Sequence, residues 1–142
     1  HFCEREQFKR LIRLVDFVKP NALEAQAITG LQSDIESARQ LVEWGARTAI
    51  ITLGADGSLV CNASECFHVP AFNTVAVDPT GCGEFYAGAF LAEFSRTGDL
   101  RSSCLYASSA ASIAIESPRP DLPLTEEEVR RRTDLMGEVR EV

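Results

Sequence analysis

The stretch Val77-Asp78-Pro79-Thr80-Gly81-Cys82-Gly83-Glu84-Phe85-Tyr86-Ala87-Gly88-Ala89-Phe90 holds the residues best suited to chemistry. Gly81 and Gly83 stand at the start of a helix, because Tyr86, Phe90 and Phe94 then recur every fourth residue until Gly98. The first turn of a helix leaves backbone N–H groups without intrahelical acceptors and gathers partial positive charge. A phosphate can therefore be held there without a basic side chain. Glu84 directly follows the glycines, where a carboxylate could accept a proton from an alcohol attacking that phosphate. The same residues also fit a plain helix start, with glycines for tight packing and Glu84 complementing the dipole. Two other glycine-rich phosphate sites fail on the residues: there is no GxxxxGK[S/T] loop, and GxGxxG lacks its third glycine. Pro79 also interrupts the strand that should lead into a dinucleotide fingerprint, which argues against an oxidoreductase of that type.

The elements that must position this turn read as an α/β chain. Phe8, Leu11, Ile12 and Val15 give an amphipathic helix over Glu4 to Leu14, followed by a short strand at Val15 to Val18 that Pro20 stops. Asn21 can cap a helix through Ile28, ended by Gly30, and Ser33 or Asp34 caps the next, with Ile35, Ala38, Leu41 and Val42 on one face. Thr48 to Leu53 is apolar without alternation, the pattern of a strand covered on both faces. Gly54-Ala55-Asp56-Gly57 makes a turn, and Ser58 to Cys61 with Cys66 to Val69 makes a hairpin around Asn62-Ala63-Ser64. After the phosphate-type helix, Leu100 to Ile115 is a second helix rich in Ala and Ser, suited to close packing. Residues 117–123 then form an extended connector, and Thr125 caps a last helix. Glu126, Glu127 and Glu128 in its first turn are read as helix-end electrostatics rather than a metal site. A helix with no strand before it is an odd opening for a parallel α/β sheet, and a missing N-terminal half would explain it.

Composition narrows the partners. The 142 residues are 45% hydrophobic and 25% charged, enough for one core, and the formal charge is −7. A general attraction to nucleic acid or anionic membrane is disfavoured, so any anion must be held by local geometry. The longest apolar runs fall far short of the roughly 20 residues of a membrane span, and the charged start shows no export signal, so a cytoplasmic location is expected. Five cysteines, an odd number without a C-x-x-C pair, support neither a disulfide framework nor a zinc site. His68 reads as an ordinary strand-face residue.

Asp78-Pro79-Thr80-Gly81-Cys82-Gly83-Glu84-Phe85 resembles the signature D-x-T-G-A-G-D-x-F of ribokinase-like (PfkB) carbohydrate kinases. Lys19-Pro20-Asn21-Ala22-Leu23-Glu24 resembles the family's N-x-x-E element, and Thr52-Leu53-Gly54-Ala55-Asp56-Gly57 its T-x-G-x-x-G turn. The three stand in family order between about Leu14 and Leu124. The resemblance implies a three-layer α/β/α sandwich, with residues 1–142 as the C-terminal, nucleotide-binding half of a mostly parallel sheet. The substrate and lid half would be N-terminal and absent here, and any homodimer would form through it. It also implies ATP-dependent phosphoryl transfer to a hydroxyl of a sugar, sugar acid or nucleoside. Gly81, Cys82 and Gly83 would form the anion hole and Glu84 would occupy the catalytic-base position. Glu24 would help order Mg2+ through water, while Asp78 and Thr80 fall where many members bind a monovalent cation such as K+. Asn21, Thr52, Gly54 and Gly57 would serve the phosphate and ribose side of the nucleotide, with Phe72, Val75 and Ser108 toward the adenine. Ordinary readings stand beside these: Asn21 as a helix cap, Thr52 as a strand residue, Gly54 and Gly57 as turn glycines.

The pattern departs from the family at two positions. Glu84 replaces the family's aspartate, lengthening the base by a methylene, and Ser108 stands where many relatives have an asparagine or similar residue. The first departure keeps a second reading open: a catalytically degenerate relative that binds a nucleotide or a partner on the same scaffold.

Overall fold

The computed structural model describes residues 2–116 and 124–142. The chain divides into two compact units. One comprises the described residues up to Leu53 with Ser58–His68 and Arg140–Val142; the other comprises Gly54–Gly57 and Val69–Val139. The expected connector at 117–123 lies outside the described residues.

In the first unit, α1 (Phe2–Leu11) tightens into a 3-10 turn at Ile12–Leu14 before β1 (Phe17–Val18). That change of period alters the predicted apolar face: Ile12 is buried, whereas Leu11 and Val15 point to solvent. Helix α2 (Ala22–Thr29) starts at Asn21, and α3 (Asp34–Glu43) starts at Ser33, whose hydroxyl accepts the Glu36 amide at 3.3 Å. Strand β2 (Thr48–Thr52) is followed by a 3-10 turn at Gly54–Asp56, β3 (Ser58–Asn62) and β4 (Cys66–Val69). A two-residue strand, β5 (Arg140–Glu141), was not apparent from the sequence pattern; it pairs antiparallel with β4. The sheet runs in the order β1-β2-β3-β4-β5. It is mixed: β1 pairs parallel with β2, whereas β2 and β3 are antiparallel from Thr48↔Asn62 to Thr52↔Ser58. Connection length explains the mixture. Two helices separate β1 from β2 and allow a parallel crossover, whereas the short Leu53–Gly57 link can only reverse the chain. Ala38 and Leu41 of α3 pack with Ala25, Ala49, Ile51 and Leu59 in one apolar core.

The cysteine count misses one link. Cys61 and Cys66 form a disulfide across the β3–β4 hairpin, with Cα atoms 4.2 Å apart. Counting gives no sign of it, because the pairing depends on the hairpin bringing two cysteines opposite each other.

In the second unit, α4 (Cys82–Thr97), α5 (Leu100–Ala114) and α6 (Glu126–Leu135) follow the sequence reading closely. Small buried residues line α5, among them Ser103, Ala107, Ser109, Ala110 and Ser112. Their hydroxyls bond locally, Ser109 to the Leu105 carbonyl at 3.0 Å and Ser112 to the Ser109 carbonyl at 2.6 Å, so they fit a buried face. Ala110, Ile113 and Val129 form the apolar contact between α5 and α6. Thr125 caps α6 as expected, but its acids do more than complement the dipole. Glu126 pairs with Arg130, and Glu128 with Arg131 and Arg132. Among the described residues no cluster of His, Cys, Asp and Glu could hold a metal, and no helix is long and apolar enough to cross a membrane.

Glu93 of α4 is buried and receives two arginines, Arg96 Nη2 at 2.7 Å and Arg130 Nη2 at 3.1 Å. These guanidinium hydrogen bonds, Arg96 first and then Arg130, hold its carboxyl down at about 2. A carboxylate depressed on folding stabilises fully above its unfolded value near 4.5 and loses that contribution as pH falls toward 2. With solvent screening at the arginine ends, the contribution is about 2 kcal/mol. Glu93→Gln is therefore expected to lower the denaturation midpoint at pH 7, with the gap to wild type closing below pH about 4.5. Urea titrations of both proteins from pH 7 to pH 3 measure this directly; a gap that stays constant with pH would refute it.

Candidate functional site

In the first unit the structure brings Asn21, Glu24 and Thr52 together. Asn21 Oδ1 accepts the Glu24 amide at 2.9 Å, and Glu24 Oε2 accepts the Asn21 amide at 2.9 Å, a reciprocal capping box. Thr52 lies beside Asn21 through a parallel bridge, with its amide donating to the Pro20 carbonyl at 3.1 Å. The end of β2 and the start of α2 thus meet because β1 and β2 are parallel, which places both at the same edge of the sheet. Asn21 has the helix-cap role that its residue type allows, and Glu24 closes that cap.

The second unit carries the other predicted residues. Gly81 is the N-cap of α4 with φ 74°, a left-handed backbone that favours glycine. It offers no side chain to the helix start, which has no side-chain cap hydrogen bond. The Gly81 carbonyl accepts the amides of Glu84 and Phe85, each at 3.1 Å, and the Cys82 amide donates to the Pro79 carbonyl at 3.2 Å. The amides of Gly81 and Gly83 meet no acceptor among the described residues. A turn with unspent N–H groups at a helix's positive end suits a phosphoryl group. Glu84, in the first turn, is exposed. Upstream, Asp78 Oδ1 accepts the Thr80 amide at 2.9 Å, folding the residues that lead into the glycines. Asp78 and Thr80 supply oxygen donors of the kind hard cations take.

The residues expected near the adenine are spread along the segment after β4. Ser108 on α5 is buried and donates its hydroxyl to the Pro70 carbonyl at 2.9 Å. The Phe72 ring lies under the Arg132 guanidinium, 5.0 Å from its centroid, and Val75 is largely exposed. Gly54 and Gly57 begin this unit, and the Gly57 amide donates to the Gly54 carbonyl at 3.1 Å. Cys82 is a free thiol within the glycine turn, whereas burial pushes the Cys104 thiol up to about 12 and leaves it unreactive.

Sequence reasoning did not find the side chains that fasten the segment leading into the turn. Glu116, just past α5, receives Arg132 of α6 and Thr74. The only sequence signal for them was an acid placed after a helix of small residues and an arginine on the inner face of the next. Neither has a motif.

The family model for pfkB family carbohydrate kinases matches residues 2–127. A cytidine kinase from Thermococcus kodakarensis is 40% identical over 94 residues, covering 65% of this chain and 34% of that kinase. A nucleoside kinase from Methanothermobacter thermautotrophicus is 30% identical over 140 residues, covering 96% of this chain and 44% of its own length. Among solved structures, the aminoimidazole riboside kinase of Salmonella enterica, complexed with aminoimidazole riboside and an ATP analogue, superposes with a TM-score of 0.81. It is 26% identical, and the match covers 92% of this chain and 46% of that kinase. The chain thus spans less than half the length of these relatives; the superposition shows a shared α/β fold, and the glycine turn lies within the residues that the family model matches. On this evidence the chain belongs to the pfkB family of carbohydrate kinases.

Proposed function

We propose that residues 1–142 are the C-terminal part of a ribokinase-like kinase domain. The complete protein would use ATP to phosphorylate a hydroxyl of a sugar, sugar acid or nucleoside. The observation that carries this reading is the uncapped start of α4, where the Gly81 and Gly83 amides meet no acceptor among the described residues and Gly83 directly precedes the Glu84 carboxylate. In this reading the backbone of Gly81, Cys82 and Gly83 stabilises charge on the transferring phosphoryl group. Glu84 takes the proton from the attacking hydroxyl as the new O–P bond forms and the bond from the γ-phosphorus to the β–γ bridging oxygen breaks, releasing ADP. Asn21, Thr52, Gly54 and Gly57 hold the nucleotide's phosphate and ribose side, with Phe72, Val75 and Ser108 toward its base. Glu24 would order magnesium through water, and Asp78 and Thr80 would hold a monovalent cation. Bound cations of this kind neutralise phosphate charge and shape the anion hole.

A second reading is favoured by one feature: Glu84 is a methylene longer than the family's aspartate. A base misplaced by about 1 Å can lose on the order of 100-fold in rate. The protein would then bind a nucleotide or a partner without turnover. Magnesium-dependent ATP consumption by the complete protein, across a panel of sugars, sugar acids and nucleosides, separates the two. Phosphorylated acceptor is the expected product; nucleotide binding without turnover on any acceptor would favour the second reading.

A further inference from the structure

The carboxylate of Glu116 joins three elements of the second unit. Arg132 Nη1 donates to Oε1 at 2.7 Å and Nη2 to Oε2 at 2.6 Å, a bidentate pair, and Thr74 Oγ1 donates to Oε1 as well. The rest of the guanidinium is also committed. Nε donates to Glu128 Oε1 at 3.0 Å, Nη1 also reaches Ser112 Oγ at 3.2 Å, and the plane covers the Phe72 ring. Arg132 is only 8% exposed, so these bonds form in a setting where they are strong and where losing one partner is costly. One residue before Glu116, the Ile115 carbonyl accepts the amides of Val77 at 2.7 Å and Asp78 at 3.0 Å.

The run from Phe72 to Asp78 has no regular secondary structure. It is nevertheless fastened at four places: the Phe72 ring, the Thr74 hydroxyl, and the Val77 and Asp78 amides. The last of these lies three residues before Gly81. Whatever sets the position of this run therefore sets where the glycine turn begins.

We propose that Arg132 is a positioning residue for the Gly81–Glu84 turn, acting through Glu116 and Thr74 on the segment that delivers it. This rests on the kinase reading of that turn. The geometry calls for arginine in particular, because a lysine ammonium cannot form the two parallel bonds that fix the carboxylate's orientation. Since the turn is assigned to stabilise transferring charge, displacing it lowers kcat and kcat/KM together and leaves ground-state binding largely intact.

The test compares Thr74→Val, Thr74→Ser and Arg132→Lys in the complete protein, reading kcat, both KM values and amide hydrogen exchange across residues 74–85. Thr74→Val removes one hydroxyl from a half-buried loop position without adding volume, so it folds even if Arg132→Lys does not. Its kcat is expected to fall about 10-fold with KM values within about twofold, as for loss of an interaction acting only in the transition state. Thr74→Ser is expected to keep wild-type turnover. Adding Thr74→Val to Arg132→Lys is expected to cost little more than Arg132→Lys alone, since both act through Glu116. Exchange should quicken at residues 74–85 in Thr74→Val and Arg132→Lys but not in β2 or β3. Unchanged exchange at residues 74–85 in Thr74→Val, or a rate loss shared equally by Thr74→Ser, overturns the proposal. Absence of turnover in the wild-type protein, with exchange still quickened in the variants, would instead overturn the kinase reading and leave the positioning of the turn standing.

Discussion

Replacing Gly57 with alanine is expected to destabilise the complete protein by about 4 kcal/mol, lowering its melting temperature by about 10 °C. Two causes act together. Gly57 has φ 90°, outside the regions a side chain tolerates easily, and a Cβ there would stand 2.1 Å from the Val69 carbonyl oxygen. It would also lie 2.8 Å from the Ala71 amide nitrogen and 2.9 Å from the Pro70 carbonyl carbon. All three are backbone atoms, and none can swing away as a side chain could. Gly54, three residues earlier, isolates the first cause. Its φ is 63°, yet a Cβ there meets nothing within 4 Å. Gly54→Ala is therefore expected to cost only the left-handed penalty of about 1 kcal/mol. Calorimetry of the two variants side by side checks the argument. Equal losses would mean that backbone conformation alone sets the requirement for glycine, and that the close approach of the Val69–Ala71 segment contributes nothing.

That contrast shows what a sequence can and cannot reveal. Both glycines sit in one T-x-G-x-x-G motif, and nothing in the motif says that only Gly57 is pressed against a neighbouring backbone. Local features were legible because their causes are local. Asn21, Ser33 and Thr125 cap helices, since a short polar side chain before an apolar period has few better uses. The spacing of Tyr86, Phe90 and Phe94 sufficed for α4, where Phe90 and Phe94 stack at 5.6 Å. The glycine turn was legible for the same reason, because a helix start without a capping side chain is visible in the residues themselves.

What the sequence hid depends on distant partners. Glu93 looks like a solvated helix acid until Arg130, 37 residues away, closes over it. The Ser108 hydroxyl finds Pro70 across 38 residues, and Cys61 finds Cys66 only once the hairpin exists. Strand β5 is two exposed residues long, too short for any alternation to appear. The division of the three motifs between two units was equally hidden. They stand in order along the chain, yet Asn21, Glu24 and Thr52 belong to one unit and the glycine turn to the other.

Glu84→Gln is expected to lower kcat by about 10²- to 10⁴-fold, the range a positioned general base supplies, while KM for ATP changes little. Folding does not confound the measurement. Glu84 is exposed, glutamine nearly matches its shape, and the backbone that carries it is held by bonds to the Gly81 carbonyl that involve no side chain. Those same bonds make Glu84→Asp informative. They keep the turn in place while the carboxylate draws back by one methylene, so the variant asks only where the base must stand. Turnover lost with glutamine and kept with aspartate would establish a kinase whose acceptor tolerates either length. An inactive native protein that gains turnover with aspartate would show that the anion site is intact and that the extra methylene alone withholds the base, so the native chain binds without transferring.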